Sequence, residues 1–464
     1  MHTFVGVILA AGVGSRMQSN LPKVLHKIFG KTMLNLSATA LANAGAKKII
    51  IVTGYKKEVV EKEITTWELN CPIHTVYQSS QLGTGHAVKM AKDYFGSGNV
   101  IVTCGDAPLI TSETLSFLIN NHTQNARHCT AVSTVVTNPL GYGRILRKHQ
   151  YNINSPLKKI IEEKDASVNE KEIKEVNTGL YCFSASELNF SLQKLTNDNA
   201  SGEYYLTDTI EILQTLGYSV DALLSQNTNE FFGVNTRIQL SQATKILQSR
   251  VNDFHMLNGI TMVDPNTTYI SNGVIIGKDT IIYPNCIIEG NTTIGENCTI
   301  GPHTTIKETT IGSFSLIQSS TVLNSTIGNN TFVGPYAHIR PNTSIGNNAR
   351  IGNFTEIKNT TIGNNSKASH LSYIGDSAIG NNVNIGCGVI TVNYDGKNKN
   401  TTTIEDDVFV GCNTNLIAPV TLHKNSYVAA GTTVTETVAP NSLAIGRVRQ
   451  QNKLNWNIKT SEEA

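Results

Sequence analysis

No C-x-x-C pair occurs among the eight cysteines, Cys71, Cys104, Cys129, Cys182, Cys286, Cys298, Cys387 and Cys412, which lie scattered along 464 residues. That scatter fits reduced thiols in a cytoplasmic protein better than a disulfide framework or a zinc site. No apolar run reaches the roughly 18 residues a bilayer span needs, so no membrane span is expected. Residues 4–11 have the apolar character of a signal-peptide core, but no basic segment precedes them. An excess of charge of one sign is also missing. Lys and Arg number 37 against 35 Asp and Glu, with no basic arm for nucleic acid and no acidic tract to suggest disorder.

What is present is a period of six. Ile276, Ile282, Ile288, Ile294, Ile300 and Ile306 form one run; Ile327, Val333, Ile339, Ile345, Ile351 and Ile357 form a second; Ile404, Val410, Leu416, Leu422, Val428 and Val434 form a third. Neither a helix nor a two-residue alternation gives that spacing, whereas a solenoid of short parallel strands does, so the pattern predicts a parallel β-helix. Gly and Asn between the rungs suit its corners because both tolerate left-handed backbone. The register slips near residues 309–311, 360–362 and 377–379. Between Thr391 and Thr403 a polar stretch, Val392-Asn393-Tyr394-Asp395-Gly396-Lys397-Asn398-Lys399-Asn400, does not fit the repeat. Function concentrates at such excursions. Just before it stands His370, either a surface residue or a base.

The first half reads differently. Residues 4–9 predict a buried parallel strand that opens onto Ala10-Ala11-Gly12-Val13-Gly14-Ser15-Arg16. A strand feeding a glycine-rich turn admits a phosphate to backbone N–H groups, which Arg16 and Lys23 can neutralise. An ordinary βα turn is the plain alternative. Further strands are expected at 48–53, 75–78, 99–104 and 180–183, with helices after Gly85 and Thr111 and at 209–216. Alternation of this kind implies a mostly parallel sheet with ligands at the strand ends. Asp106 stands at such an end and suits a magnesium ion bridging phosphate oxygens, or else serves as a turn residue. Residues 141–165 suit a hairpin and loop over the same face. Leu240, Ala243, Leu247, Val251 and Phe254 recur at helical spacing, and no Gly/Ser-rich or Pro-rich tract interrupts them. Three segments are therefore expected: an α/β domain over 1–235, a linking helix over 236–258 and the solenoid over 259–464.

Taken in order, Leu9-Ala10-Ala11-Gly12 with Arg16 and Lys23, Gln81-Leu82-Gly83-Thr84-Gly85, Gly105-Asp106, Glu203-Tyr204-Tyr205, Gly233-Val234-Asn235, and the hexapeptide tail with His370, Tyr373 and Asn393-Tyr394-Asp395-Gly396 resemble the bacterial bifunctional UDP-N-acetylglucosamine pyrophosphorylase/glucosamine-1-phosphate N-acetyltransferase family. The likeness spans nearly the whole chain. It implies a Rossmann-like nucleotidyltransferase domain, a linking helix and a left-handed β-helix, assembled as a cytoplasmic homotrimer that supplies a precursor of peptidoglycan and lipopolysaccharide. For uridylyl transfer from UTP, it implies nucleotide and sugar contacts by Leu9, Ala10, Ala11, Gly12, Gln78, Gly83, Thr84, Cys104, Gly105, Gly143, Glu162 and Asn177. Lys23 and Arg16 would face the phosphates, and Asp106 and Asn235 would bind Mg²⁺. For acetyl transfer from acetyl-CoA it makes His370 the general base. Arg340, Lys358, Tyr373, Asn384 and Lys399 would hold the sugar phosphate; Asn393, Tyr394, Cys387, Cys412, Ala430 and Arg447 would contact the coenzyme or flank the reacting group. Cys387 and Cys412 stand where smaller Ala- or Ser-like residues are commoner in the family. A single-activity nucleotidyltransferase with a regulatory solenoid is the alternative, and a non-enzymatic scaffold a third reading.

Overall fold

The computed structural model describes residues 3–150, 152, 155–454 and 456. The chain forms two compact units, Met1–Leu247 and Gln248–Ala464.

In the first unit seven strands line up in the order Val220–Leu224, Cys129–Val135, Glu175–Ser184, Asn99–Cys104, Phe4–Ala10, Ala46–Thr53 and Ile73–Tyr77. The central strand Phe4–Ala10 pairs in parallel with Ala46–Thr53 and Asn99–Cys104. Val7, Ile8, Ile49, Ile50, Ile51 and Val102 are fully buried, as strands covered on both faces must be. The sheet is not wholly parallel: Glu175–Ser184 runs antiparallel to both its neighbours. It is also longer than the strand expected at 180–183. Asn177 lies on it, ahead of the expected start at 180 and just before a register shift between Asn177 and Tyr181. That irregularity hid the first half of the strand from a pattern reading, because it breaks the alternation of side chains. Arg144–Arg147 and Leu157–Ile161 form the expected hairpin. Thr111 caps the helix Ser112–Gln124, its hydroxyl accepting from Thr114 N.

The second unit is a solenoid whose strands pair in parallel with the strand one coil on. The aliphatic ladder is continuous. Ile311, Ile317 and Val322 fill the gap between the first two runs, and Ala368, Ile374, Ile379 and Ile385 that between the second and third; all are buried in one core. The slips are corners shortened by one residue. Thr309 to Ile311 still delivers an isoleucine to the core, paired with Ile294. Each fully buried isoleucine contributes about 2 kcal/mol of transfer free energy, so the ladder is the unit's main stabilising term. A second inner row is small and polar. Thr280, for example, donates to Gly295 O at 2.9 Å and accepts from Cys298 N at 3.0 Å, satisfying backbone that turning leaves unpaired. Cys286 and Cys298 are buried among these small residues as packing groups. Asn285, Asn297, Asn330, Asn348 and Asn365 take positive φ at the corners, as the composition suggested.

One helix, Arg237–Leu257, contains the division between the units. Its second half departs from expectation: Phe254 is 63% exposed, whereas Gln248, Asn252 and His255 are buried. The reason is hydrogen bonding. The two N–H groups of Gln248 Nε2 are shared among Pro265 O, Asn266 O and Thr268 O, and Nδ2 of Asn252 donates to Pro265 O and Thr268 O. The first coil has no preceding coil to pair with, so amide side chains take that place. An apolar helix face would have left those carbonyls unsatisfied.

Candidate active sites

In the first unit the ends of three strands of the sheet bring Leu9, Cys104 and Gln78 to one cleft of about 300 Å³. Gly105 N donates to Leu9 O at 2.9 Å, and Gln81 Nε2 donates to Ala11 O at 2.7 Å, which fixes the turn that follows the first strand. Gly14 is left-handed, with φ of 67°, and a Cβ there would lie 2.5 Å from Lys23 Cβ. Gly12 has no such constraint: nothing of the protein lies within 4 Å of where its Cβ would be. The missing side chain at Gly12 therefore leaves room in the cleft itself.

Lys23 reaches across the cleft to the Asp106 carboxylate, and its Nζ donates to Asn235 Oδ1 at 2.9 Å. Arg16 donates to the same oxygen at 3.0 Å. Residues more than two hundred positions apart in the chain thus meet at one point, because Val234 N bonds Asp106 O at 2.9 Å and carries Asn235 alongside. Both oxygens already converge on a cation, here an ammonium. They are hard donors, and among the described residues no third carboxylate, histidine or cysteine joins them to complete a protein-only metal cage. That set fits Mg²⁺, which keeps water and phosphate ligands of its own.

A loop closes the other wall. Tyr204 N donates to Leu82 O and Gly85 N to Tyr204 O, at 2.8 and 2.7 Å, while Thr84 Oγ1 accepts from Leu206 N at 3.0 Å. Gly83, at φ of 107°, has no space for a side chain beside Tyr204 O. Gln78 Nε2 donates to Gly83 O at 3.2 Å. Gly143 O accepts from Asn177 N at 2.8 Å, and Thr207 Oγ1 donates to Glu162 Oε1 at 3.0 Å, so Gly143, Glu162 and Asn177 do gather. Burial raises the Glu162 carboxyl against that hydrogen bond, and raises Asp208 to about 6 with help from Glu211 and Asp165. Burial likewise pushes the Cys104 thiol up to about 12, so it is a neutral wall and not a nucleophile.

In the solenoid the named residues fall into two groups. His370 lies on the strand Lys367–Gly375, opposite Asn353 in the preceding coil. It belongs to a regular coil, because Ala368 and Ile374 keep the six-residue step; the small Ala368 is why the rung was not legible. The Asn353 carboxamide Oδ1 lies 3.1 Å from His370 Nδ1. With that oxygen as the acceptor, Nδ1 is the donor and Nε2 is left with its lone pair. Cys387, Cys412 and Ala430 continue the same corner into later coils: Asn413 N donates to Cys387 O and Gly431 N to Cys412 O, at 2.7 and 2.8 Å. The Arg447 guanidinium bonds Ala430 O. Asn384 lies in register with Lys367 and Phe409 on the adjoining strands.

The second group surrounds Asp376, a residue the sequence reading did not single out. Its buried carboxylate accepts from Asn359 Nδ2 at 2.6 Å and from Asn393 Nδ2. Burial pushes this carboxyl up, but those hydrogen bonds and the Lys358 and Lys399 charges outweigh it and hold it below its ordinary range. Lys399 in turn depresses Lys358. A Cβ on Gly375 would meet Tyr373 OH at 2.6 Å and Asn393 Nδ2 at 2.9 Å, so both polar groups converge there. Arg340 pairs with Glu356 at 2.7 Å. Tyr394 is exposed on the excursion, its hydroxyl donating to Gly396 O at 2.7 Å. Asp376 had one legible signal, an acidic residue at a corner that Asn324, Asn342 and Asn359 hold in the three preceding coils. Asn353 had none, since asparagine is common at every corner.

The fold and its sites define a nucleotidyltransferase joined in one chain to a hexapeptide-repeat acyltransferase. A nucleotidyl transferase family model matches residues 5–227, bacterial transferase hexapeptide models match 273–308 and 324–359, and a hexapeptide repeat of succinyl-transferase matches 401–436. The chain is 48% identical over 98% of its length to the bifunctional protein GlmU of Caldanaerobacter subterraneus subsp. tengcongensis, covering 98% of that protein. Identity is 46% to the protein of that name from Clostridioides difficile, over 99% of this chain and 98% of that one. It is 49% to that of a Geobacillus species, over 97% and 96% respectively. The chain belongs to the bifunctional GlmU family.

Proposed function

We infer that the chain makes UDP-N-acetylglucosamine in two steps, acetyl transfer to glucosamine 1-phosphate in the solenoid and then uridylyl transfer to the product in the α/β unit. The observation that carries this is the contrast between the sites: a cleft in which Lys23 and Arg16 converge on Asn235, and a histidine whose Nδ1 lies within hydrogen-bond distance of the Asn353 carboxamide. The two reactions need that difference. In uridylyl transfer a phosphate oxygen of N-acetylglucosamine 1-phosphate attacks the α-phosphorus of UTP and pyrophosphate leaves. The nucleophile is already ionised, so positioning and charge neutralisation suffice. Gly12 and the loop at Gly83 and Thr84 admit the nucleotide, Gly143, Glu162 and Asn177 hold the sugar, and Arg16 and Lys23 face the phosphates. Asp106 and Asn235 would hold Mg²⁺, whose chemistry is to neutralise phosphate oxygens.

Acetyl transfer starts from an ammonium, which must lose a proton before its nitrogen attacks a thioester. His370 Nε2 takes that proton, and Lys358, Lys399 and Arg340 hold the phosphate of the substrate. Acetyl-CoA lies along the corner of Cys387, Cys412 and Ala430.

The working form is a homotrimer in the cytoplasm. Tyr336, Phe354 and Leu371 are 62%, 58% and 58% exposed at one corner, beside His370, with φ of 60°, 57° and 24°. A bulky residue in left-handed backbone costs about 1–2 kcal/mol, and the exposed apolar strip supports contact with a second copy. Among the described residues no helix is long and apolar enough to cross a membrane.

The test supplies glucosamine 1-phosphate, acetyl-CoA, UTP and Mg²⁺ and follows thiol and pyrophosphate separately. Asp106→Ala should lose pyrophosphate release and keep thiol release; His370→Ala should lose thiol release and keep pyrophosphate release when N-acetylglucosamine 1-phosphate is supplied. Full acetyl transfer in His370→Ala would remove the histidine from the mechanism.

A further inference from the structure

Cys387 and Cys412 stand directly above one another. Gly386 N donates to Val410 O at 2.8 Å, and the space where a Gly386 Cβ would project lies 2.7 Å from Cys412 N. On the other side, Asn413 N bonds Cys387 O at 2.7 Å, and a Gly388 Cβ would run into the Asn413 side chain. Both flanking residues are therefore paired one to one across the coils, which puts the two cysteines in register on the same corner. Both are free thiols, Cys387 partly accessible and Cys412 exposed.

The spacing decides what such a pair can bind. Cys387 turns between the strands Asn384–Ile385 and Ile390–Val392, and Cys412 between Phe409–Val410 and Asn415–Ile417, and the pairing of these strands sets the two coils about 4.7–4.9 Å apart. A disulfide needs Cβ atoms about 3.5–4.5 Å apart, so coil spacing disfavours it. Two metal–thiolate bonds of about 2.3 Å laid end to end span about 4.6 Å, which matches. Thiolates select soft cations, and a linear two-coordinate ion needs no third protein ligand. None of the other residues that bind metals completes a larger cluster here among the described residues.

We propose that Cys387 and Cys412 form a two-coordinate site for a soft, thiophilic cation of the cuprous or mercuric class, and that its occupation stops acetyl transfer while uridylyl transfer continues. Two S–H bonds ionise, two protons pass to solvent, and the two thiolates share one cation. The remaining cysteines compete poorly. Cys71, Cys129, Cys182, Cys286 and Cys298 are buried, and burial pushes the Cys104 thiol to about 12. The second clause of the proposal rests on the reading that acetyl-CoA lies along this corner; the first does not.

The experiment uses the full-length reduced protein with mercuric ion as probe. One equivalent per chain should protect two thiols at once from a maleimide, located by peptide mapping to Cys387 and Cys412. Cys387→Ser and Cys412→Ser should each weaken binding by about 10²-fold or more, because the chelate effect is lost. Protection of one thiol per ion, or wild-type affinity in either variant, overturns the site. Within each variant the ratio of treated to untreated acetyl transfer is then compared, with uridylyl transfer as internal control. If the ion binds both thiols and acetyl transfer is unaffected, the clause on inhibition is overturned, along with the placement of acetyl-CoA, while the site itself stands.

Discussion

The bond from His370 Nδ1 to the Asn353 oxygen decides which imidazole nitrogen is basic, so Asn353 acts through the histidine. Asn353→Ala should lower kcat for acetyl transfer about 10-fold or more while KM for the sugar phosphate changes little, which steady-state kinetics at two pH values would check. Gly14 offers a matching test in the other unit. Alanine there must adopt φ near 67° and push Lys23 aside. Gly14→Ala should cost about 1–2 kcal/mol of stability and depress uridylyl transfer at least 10-fold, with acetyl transfer unchanged in the same preparation. Neither effect follows from residue type alone. A glycine in a turn is ordinary; a glycine whose Cβ would displace the lysine that faces Asp106 is not.

Two elements owe their form to polar groups. The second half of the helix Arg237–Leu257 closes the solenoid with Gln248 and Asn252, so Gln248→Leu should destabilise the second unit by about 1–3 kcal/mol, despite being more apolar, because Asn266 O loses its side-chain donor and the buried Thr268 carbonyl keeps only Asn252. Denaturant unfolding followed in the isolated mutant and wild-type chains would measure it. The excursion after Thr391 is tied down by Asp376 through Asn393, with Lys358 and Lys399 nearby. Because the folded carboxyl is held below its ordinary value, its contribution is present above an unfolded pKa of about 3.9 and is lost as pH falls through the lower folded value. Acid melts should show that loss, and Asp376→Asn should flatten it. The variant should also raise KM for glucosamine 1-phosphate, as the two lysines lose the carboxylate that spaces them.

At the scale of the molecule, the exposed strip of Tyr336, Phe354 and Leu371 makes a prediction about assembly. The Tyr336 and Phe354 rings stack at 5.6 Å and only 10° apart, yet remain open to solvent. Phe354→Asp should shift the protein to monomer by sedimentation and abolish acetyl transfer, with uridylyl transfer retained. A trimer that survives this change would place the contact on another face.

The aliphatic period, the glycine-rich turn after the first strand, and Asp106 at the end of another were legible because each depends on local spacing, and local spacing is what backbone geometry imposes on a sequence. The strand beginning at Glu175 was half hidden by its register shift, and the rung at Ala368 by a small residue where an isoleucine was expected. Only tertiary structure brought Asn235 to Lys23, stacked Cys387 on Cys412, set Asn353 beneath His370 and buried Asp376 among lysines. Those pairings join residues 17 to 212 positions apart, and the register of coils and strand ends that joins them is fixed by packing the whole core, not by any one segment.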